Sequence, residues 1–235
     1  MTDAEREAIR TRWSPHEGLP TRLLLARHGA TAHSEAGRFS GRNELPLDAH
    51  GELQAKALAC HLREYAPVQT IISSPLRRAR ETAAVIAAEF GVGVDVHGGL
   101  IEADFGCWEG LTFDEAMAGW PEALVGWLNA EDAAPPGGES FAAVQERIGQ
   151  ALAEIVEGHA GQSLLVVSHT TPIKALLRRA LGAPHDAVFR FHVDTGSLSI
   201  LDSYLGGESY VRMLNQIPPA IVASSGTRFE EVLQK

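Results

Sequence analysis

Residues 163–172 read SLLVVSHTTP and residues 21–29 read TRLLLARHG. Both are short apolar runs that end at a histidine. A strand with one wet face alternates apolar and polar side chains. Unbroken runs of this length suit strands covered on both faces, as in a parallel sheet between helices. Thr70–Ser73 (TIIS) is a second strand along the chain, and a short β segment spans Val92 to Val96 beyond the Gly91-Val-Gly93 turn.

Amphipathic stretches alternate with these strands. Asp48 opens a helix to about Tyr65, with Leu53, Ala57, Cys60 and Leu62 on its apolar face. Ser74-Pro75 opens another, Ser as cap and Pro at the first helical position, through Arg77, Arg78 and Thr82 to about Glu89. Thr112-Phe-Asp-Glu115 is a capping box before a further helix, and the loop Pro135 to Gly138 precedes a long helix from Ser140 to about Gly158. After His169 the chain is helical to Leu181, and Leu198 to Leu201 and Tyr210 to Leu214 are late strands. Strands alternating with helices predict an α/β fold, a three-layer α/β/α sandwich with a mostly parallel central sheet. Such sheets receive ligands outside the carboxyl ends of their strands. His28 and His169 each follow a strand immediately, so both are expected on that edge.

The 235 residues suit one large domain or two small ones, and the sequence has no internal repeat or rich linker. Residues 1–20, polar with Pro15 and Pro20, read as an N-terminal arm with room for a short helix. Residues 21–216 read as a single catalytic domain and 217–235 as a C-terminal extension ending in a short helix at 228–233. With 20 Lys+Arg against 30 Asp+Glu, the net charge of −10 disfavours nucleic acid and anionic membrane as partners. An anionic substrate must then be captured by local cations. Cys60 and Cys107 make no CxxC pair, which fits a reducing compartment. No apolar run approaches the roughly 20 residues of a spanning helix. The first 13 residues carry no signal-like apolar core, so a cytoplasmic protein is expected.

Several chemistries are excluded. GxxxxGK[ST], GxGxxG and GxSxG are absent. A cysteine phosphatase needs an Arg six positions after its Cys, where Ala66 and Phe113 stand. No two aspartates are two apart. The 10 histidines form no HxH or HExxH, so neither metal nor cofactor is expected.

What remains is a set of cations and histidines at strand ends. Arg27-His28-Gly29 follows one strand, Arg77 and Arg78 lie in a first helical turn after the next, and His169 follows a third. Glu102 lies in Leu100-Ile-Glu-Ala-Asp-Phe-Gly-Cys-Trp-Glu-Gly110, where Asp104 and Glu109 compete with it as proton donors. Arg forks bind phosphate oxygens, a neutral imidazole attacks phosphorus, and a protonated carboxyl group serves the leaving oxygen. These are the parts of phosphoryl transfer through a phosphohistidine. His50, His97 and His159 read as surface residues, and Trp108, Trp120 and Trp127 as core or pocket-wall aromatics.

The same residues carry a family resemblance. Arg27-His28-Gly29 with Thr31 matches the RHG motif, followed in order by Gly41…Pro46-Leu47…Gly51…Gln54 and Ser73-Ser-Pro-Leu-Arg-Arg78…Thr82. Glu102…Phe105-Gly106…Glu109-Gly110, Gly138-Glu-Ser140 and Val166-Val-Ser-His169 complete the series. The chain resembles the histidine phosphatase superfamily, and the resemblance implies a phosphoglycerate mutase-like fold. It implies His28 as nucleophile, Arg27 and Arg78 as phosphate clamps, Glu102 as proton donor and His169 as a second phosphate contact. Thr31, Ser40, Gly41, Asn43 and Thr170 would join Arg27, Arg78 and His169 in binding substrate. Ala30 and Ser34 stand where members carry Glu and Asn, and Thr170 where Gly is common.

Glu102-Ala-Asp-Phe-Gly106 resembles the phosphatase branch, whereas mutases carry Glu-Arg-His-Tyr-Gly. The expected activity is a metal-independent phosphomonoester hydrolase acting on a small phosphorylated metabolite through a phosphohistidine. The alternatives are phosphoglycerate mutase-type transfer and a non-catalytic phospholigand-binding module. The loops at 33–46 and 103–138 would set substrate choice, and a homodimer is compatible with this reading.

Overall fold

The computed structural model describes residues 1–6, 18–64 and 68–219. Most of the expected N-terminal arm, the helix end at Tyr65 and the terminal helix at 228–233 lie outside the described residues. One sheet contains β1 (Thr21–Arg27), β2 (Thr70–Ser73), β3 (Val94–Val96), β4 (Ser163–Ser168), β5 (Leu198–Ser203) and β6 (Ser209–Gln216). Their order is β3-β2-β4-β1-β5-β6. β3, β2, β4 and β1 pair in parallel, while β5 pairs antiparallel with both β1 and β6. The sheet is therefore mixed and mostly parallel, as expected.

The helices are α1 (Ala32–Glu35), α2 (Ala49–Leu62), α3 (Arg77–Phe90), α4 (Phe113–Gly119), α5 (Pro121–Asn129), α6 (Phe141–Gly158) and α7 (Thr170–Leu181). Strand side chains alternate between two cores. Leu24, Ala26, Ile71, Leu165 and Val167 meet Leu58 and Leu62 of α2 and Ala83 and Ile86 of α3. Leu23, Leu25, Ile72, Leu164 and Val166 meet Val144 and Ile148 of α6 and Ile173 and Leu177 of α7 on the other face. The central strands are thus covered on both sides, which is why they read as unbroken apolar runs. Cutting Leu24 or Leu165 to Ala would open a cavity costing about 2–5 kcal/mol.

Two expectations are corrected. Helix α2 does not bury the Leu53–Ala57–Cys60 stripe: Leu53 is 54% exposed and Cys60 is exposed. Its inward residues are Gly51, Gln54, Ala55, Leu58 and Leu62. Both stripes carry small and apolar side chains, and the choice falls to the one in which Gly51 and Gln54 meet the chain after β1. Helix α3 begins at Arg77, with Leu76 at its cap position and no side-chain cap of its own. Ser74 is fully buried, and its hydroxyl lies 2.7 Å from the His169 ring. The Arg77 N–H, one of the free donors of the first turn, is taken instead by Glu44 at 2.8 Å.

Candidate active site

Register brings the site together. Arg27 of β1 pairs with Ser168 of β4, and Ser73 of β2 pairs with Val167. The next residue of each strand, His28, His169 and Ser74, therefore leaves the sheet at the same edge. The His28 N–H donates to the Ser168 carbonyl at 3.1 Å. The helix following β1 packs on one face and the helix following β4 on the other, so this pair borders a crevice at the topological switch point. The two imidazoles meet there with ring centroids 5.0 Å apart.

The tautomer of His28 follows from its partners. Nδ1 lies 2.7 Å from the Gly29 carbonyl oxygen, which only accepts, so Nδ1 carries the proton. Nε2 then presents its lone pair, and the Arg78 Nε–H donates to it at 3.2 Å. Burial, then the charges of Arg27 and Arg78, hold the imidazole well below the ordinary histidine pKa, against the pull of the Gly29 carbonyl. A buried neutral imidazole with an unprotonated Nε2 is the nucleophilic form.

The loop carrying His28 is held from three sides. The Gly29 N–H donates to Thr82 Oγ1 of α3 at 3.0 Å, and the Ala30 N–H donates to Gln54 Oε1 of α2 at 2.7 Å. The Ala30 carbonyl accepts from the Asp48 N–H at 3.0 Å. Gly29 and Gly51 cross so closely that a Cβ on either would overlap the other segment's backbone. That crossing is the structural reason for the third residue of the RHG motif.

Arg78 is fully buried, while Arg77 points outward to Glu81 at 2.7 Å. The Arg78 guanidinium is caged by carbonyl oxygens of Ser40 at 3.1 Å, Gly41 at 2.6 Å and Asn43 at 2.8 Å. Glu109 in turn holds that loop, accepting from the Gly41 and Arg42 N–H groups at 3.1 and 3.0 Å and from Asn43 Nδ2 at 3.0 Å. Arg27 donates through one terminal nitrogen to the Val193 carbonyl at 2.7 Å. Its Nε and the Nδ1 of His169 are buried without a partner among the described residues. Two orphaned nitrogens beside two guanidinium groups are the complement of an anion.

Glu102 is buried near the N-terminus of α7. Its Oε1 accepts from the Ala103 N–H at 2.8 Å and the Thr171 N–H at 3.2 Å. Burial raises its pKa above the usual carboxylate value, and those hydrogen bonds and Arg78 only partly oppose it. Glu102 and Arg27, His28, Thr31, Ser40 and Thr170 all line one cavity of about 390 Å³.

The structure thus brings Arg27, His28, Arg78, Glu102 and His169 to one place. Asp104 and Glu109 are occupied elsewhere, Asp104 by the Gly106 N–H at 2.9 Å. Arg78, His169, Gly41 and Asn43 are not among the residues lining that cavity; the carbonyls of Gly41 and Asn43 hold the Arg78 guanidinium. Thr31 lines the cavity while capping α1 through the Ser34 N–H at 3.3 Å. Ser34 caps back by accepting from the Thr31 N–H at 2.8 Å, so its hydroxyl serves the loop. Ala30 acts through its backbone alone.

Sequence gives no site role to Gln54, Thr82 or Lys174, and none to Ser74 beyond that of a helix cap. Gln54 stands in the motif series that carries the resemblance and is a polar side chain inside the stripe that α2 buries. Lys174 lines the same cavity, donating to the Val188 carbonyl at 2.7 Å. Among the described residues, no group of three or more His, Cys, Asp or Glu side chains is placed to hold a metal ion. No helix among them is long and apolar enough to cross a membrane.

Residues 23–216 match the histidine phosphatase superfamily, branch 1. The chain belongs to that family. It is 46% identical over 204 residues to a bifunctional protein of Mycobacterium tuberculosis, covering 87% of this chain and 56% of the relative. The chain therefore spans little more than half the length of that relative. Phosphoserine phosphatase 1 of Hydrogenobacter thermophilus is 35% identical over 182 residues, covering 77% of this chain and 85% of its own. The crystal structure of alpha-ribazole phosphatase from Shigella flexneri superposes with a TM-score of 0.74 at 31% identity, over 83% of this chain and 96% of that one. The family's fold is the three-layer sandwich described above.

Proposed function

We propose that this histidine phosphatase family member hydrolyses phosphomonoesters of small metabolites through a phosphohistidine on His28. The observation that carries the reading is the buried His28 ring, its Nε2 lone pair free of a proton, between two guanidinium groups and across a cavity from a carboxyl group biased toward its protonated form. The named phosphatases among its relatives support the same class.

Substrate phosphate docks against Arg27, Arg78 and His169, taking the hydrogen bonds left unmade at Arg27 Nε and His169 Nδ1. His28 Nε2 forms a bond to phosphorus as the ester P–O bond breaks. The guanidinium groups offset charge on the equatorial oxygens. Glu102 gives its proton to the departing alkoxide, producing the alcohol. As a carboxylate it then takes a proton from water, whose oxygen bonds to phosphorus while the P–Nε2 bond breaks, releasing inorganic phosphate.

The test is phosphate release from a panel of esters in the presence of EDTA, with wild type and His28→Ala side by side, and trapping of an acid-labile phosphoryl group on His28. Turnover that disappears in the variant, with phosphate on that residue, is the expected result. Equal turnover by His28→Ala would end the reading. Transfer between two positions of a phosphoglycerate without net phosphate release would assign a mutase instead.

A further inference from the structure

Resting on the phosphatase reading, the geometry points to the substrate class: the alcohol that leaves carries an aromatic ring or a comparably large apolar group. The cavity that opens from His28 and Glu102 is walled by Phe39, Phe105, Phe113, Trp127, Phe141 and Phe189. All but Phe113 form a connected surface, in which Phe39 and Phe105 reach Trp127 at 6.2 and 6.3 Å between centroids. Phe39 contacts Phe105 at 5.0 Å between centroids, Trp127 stacks on Phe141 at 4.7 Å, and Phe189 meets both of the latter edge-on at 5.9 and 5.7 Å.

Polar groups are unevenly available along this cavity. Arg27, His28 and Glu102 are committed to the phosphoryl group and its proton. Arg38 turns Nη1 to the Gly110 carbonyl at 2.7 Å and Glu115 at 2.9 Å, and Lys174 turns one of its three N–H donors to the Val188 carbonyl at 2.7 Å. The side of the cavity that would receive the leaving group is walled mainly by ring surface. A serine, glycerate or sugar leaving group would exchange water for ring surface over much of its contact there.

Phe113 and Phe189 sit at the mouth, 44% and 43% exposed. They come from separate segments, α4 and the turn His185–Phe189, and both border the same opening. Large apolar side chains left half in water around a cleft are the mark of a surface completed by a ligand. A flat ring entering between them would stack or meet edges as the wall rings already do with one another.

The test compares 2-(2-naphthyl)ethyl phosphate with ethyl phosphate and phosphoserine. The first two leave as unactivated primary alkoxides, so their difference reports the wall and not the chemistry. The expected kcat/KM ratio of naphthylethyl to ethyl ester is at least about 30-fold, from burial of the ring. Phe113→Ser and Phe189→Ser, at positions nearly half in water, are each expected to lower that ratio at least about 5-fold. In parallel, naphthylethylphosphonate and ethylphosphonate, which cannot be hydrolysed, are titrated into the protein by calorimetry. Ring preference in the phosphonates without turnover of any ester would uphold the aromatic site and overturn the phosphatase reading. Turnover with a ratio near one, or with phosphoserine preferred over the naphthyl ester, would overturn the substrate class and leave the phosphatase reading standing. No turnover together with equal phosphonate affinities would overturn both.

Discussion

Replacing Glu102 with Gln isolates the proton that the mechanism sends to the leaving alcohol. Glu102 Oε1 accepts from Ala103 and Thr171 backbone N–H groups at 2.8 and 3.2 Å. A glutamine oxygen in that place keeps both bonds, and its amide nitrogen replaces Oε2, losing a longer 3.4 Å contact with Thr171. Burial already disfavours the charged carboxylate here, so the neutral amide should change stability by less than about 1 kcal/mol. The fold survives, and the catalytic loss can be read alone. A positioned general acid contributes about 10²–10⁴-fold, or about 2.7–5.5 kcal/mol of barrier. That contribution applies where the leaving group needs a proton. For an alkyl phosphate kcat/KM should fall by that factor, whereas for 4-nitrophenyl phosphate, whose phenolate leaves unaided, it should fall less than about 10-fold. The parameter matters. In a two-step reaction kcat/KM reports events up to phosphoenzyme formation and is blind to the later role of Glu102 in activating water. Equal losses in kcat/KM for the two esters would refute the acid role.

Glu109→Gln should act at a distance, because a glutamine cannot accept from all three donors that Glu109 gathers from the 41–43 loop. Loosening the Arg78 cage should lower kcat/KM about 10-fold or more, and a weaker apparent affinity for vanadate would read it; unchanged kinetics would sever the link between loop and arginine. Gly51→Ala should cost about 1–3 kcal/mol, since its Cβ overlaps the Ala30 backbone, and thermal unfolding would report a drop of about 2–10 °C. For alkyl phosphates kcat/KM should be bell-shaped with an acidic optimum: His28 must stay neutral, and its pKa is depressed, while Glu102 must stay protonated, and its pKa is raised. An optimum above about pH 8 would contradict that pairing of shifts. Depressed folded-state values for His28 and His169 also mean that the unfolded chain binds protons first on acidification. The stability they contribute is fully present above the ordinary histidine value of about 6.5 and is lost as pH falls from there. Urea midpoints at pH 7.5 and 5.5 should fall on acidification, and fall less in His28→Gln.

The strands could be read from sequence because a strand covered on both faces has no freedom to alternate. TRLLLAR and SLLVVS carried that signature without help from the rest of the chain. The histidines that end them were equally legible, since a parallel sheet delivers the residue after each strand to a common edge. The inward arginine, Arg78, came from family resemblance, and the fold supplies its physical reason in three carbonyl groups placed to surround it. Local rules failed where a residue had two uses. Ser74-Pro75 has the chemistry of a helix start, yet the hydroxyl meets His169, a residue far along the chain. Periodicity pointed to the Leu53–Ala57–Cys60 stripe of α2, whereas the crossing of Gly29 with Gly51 goes with Gly51, Gln54 and Leu58 turned inward.

Sequence alone therefore determined the sheet type, the edge at which chemistry gathers and the residue types that could perform it, because those follow from periodicity and from side-chain chemistry. Tertiary structure decided which nitrogen of His28 is unprotonated, which carboxyl group has its pKa raised by burial and what the cavity walls are made of. Those properties depend on burial and on partners drawn from β1, β4, α2, α3 and α7 at once, and no local stretch of chain contains them.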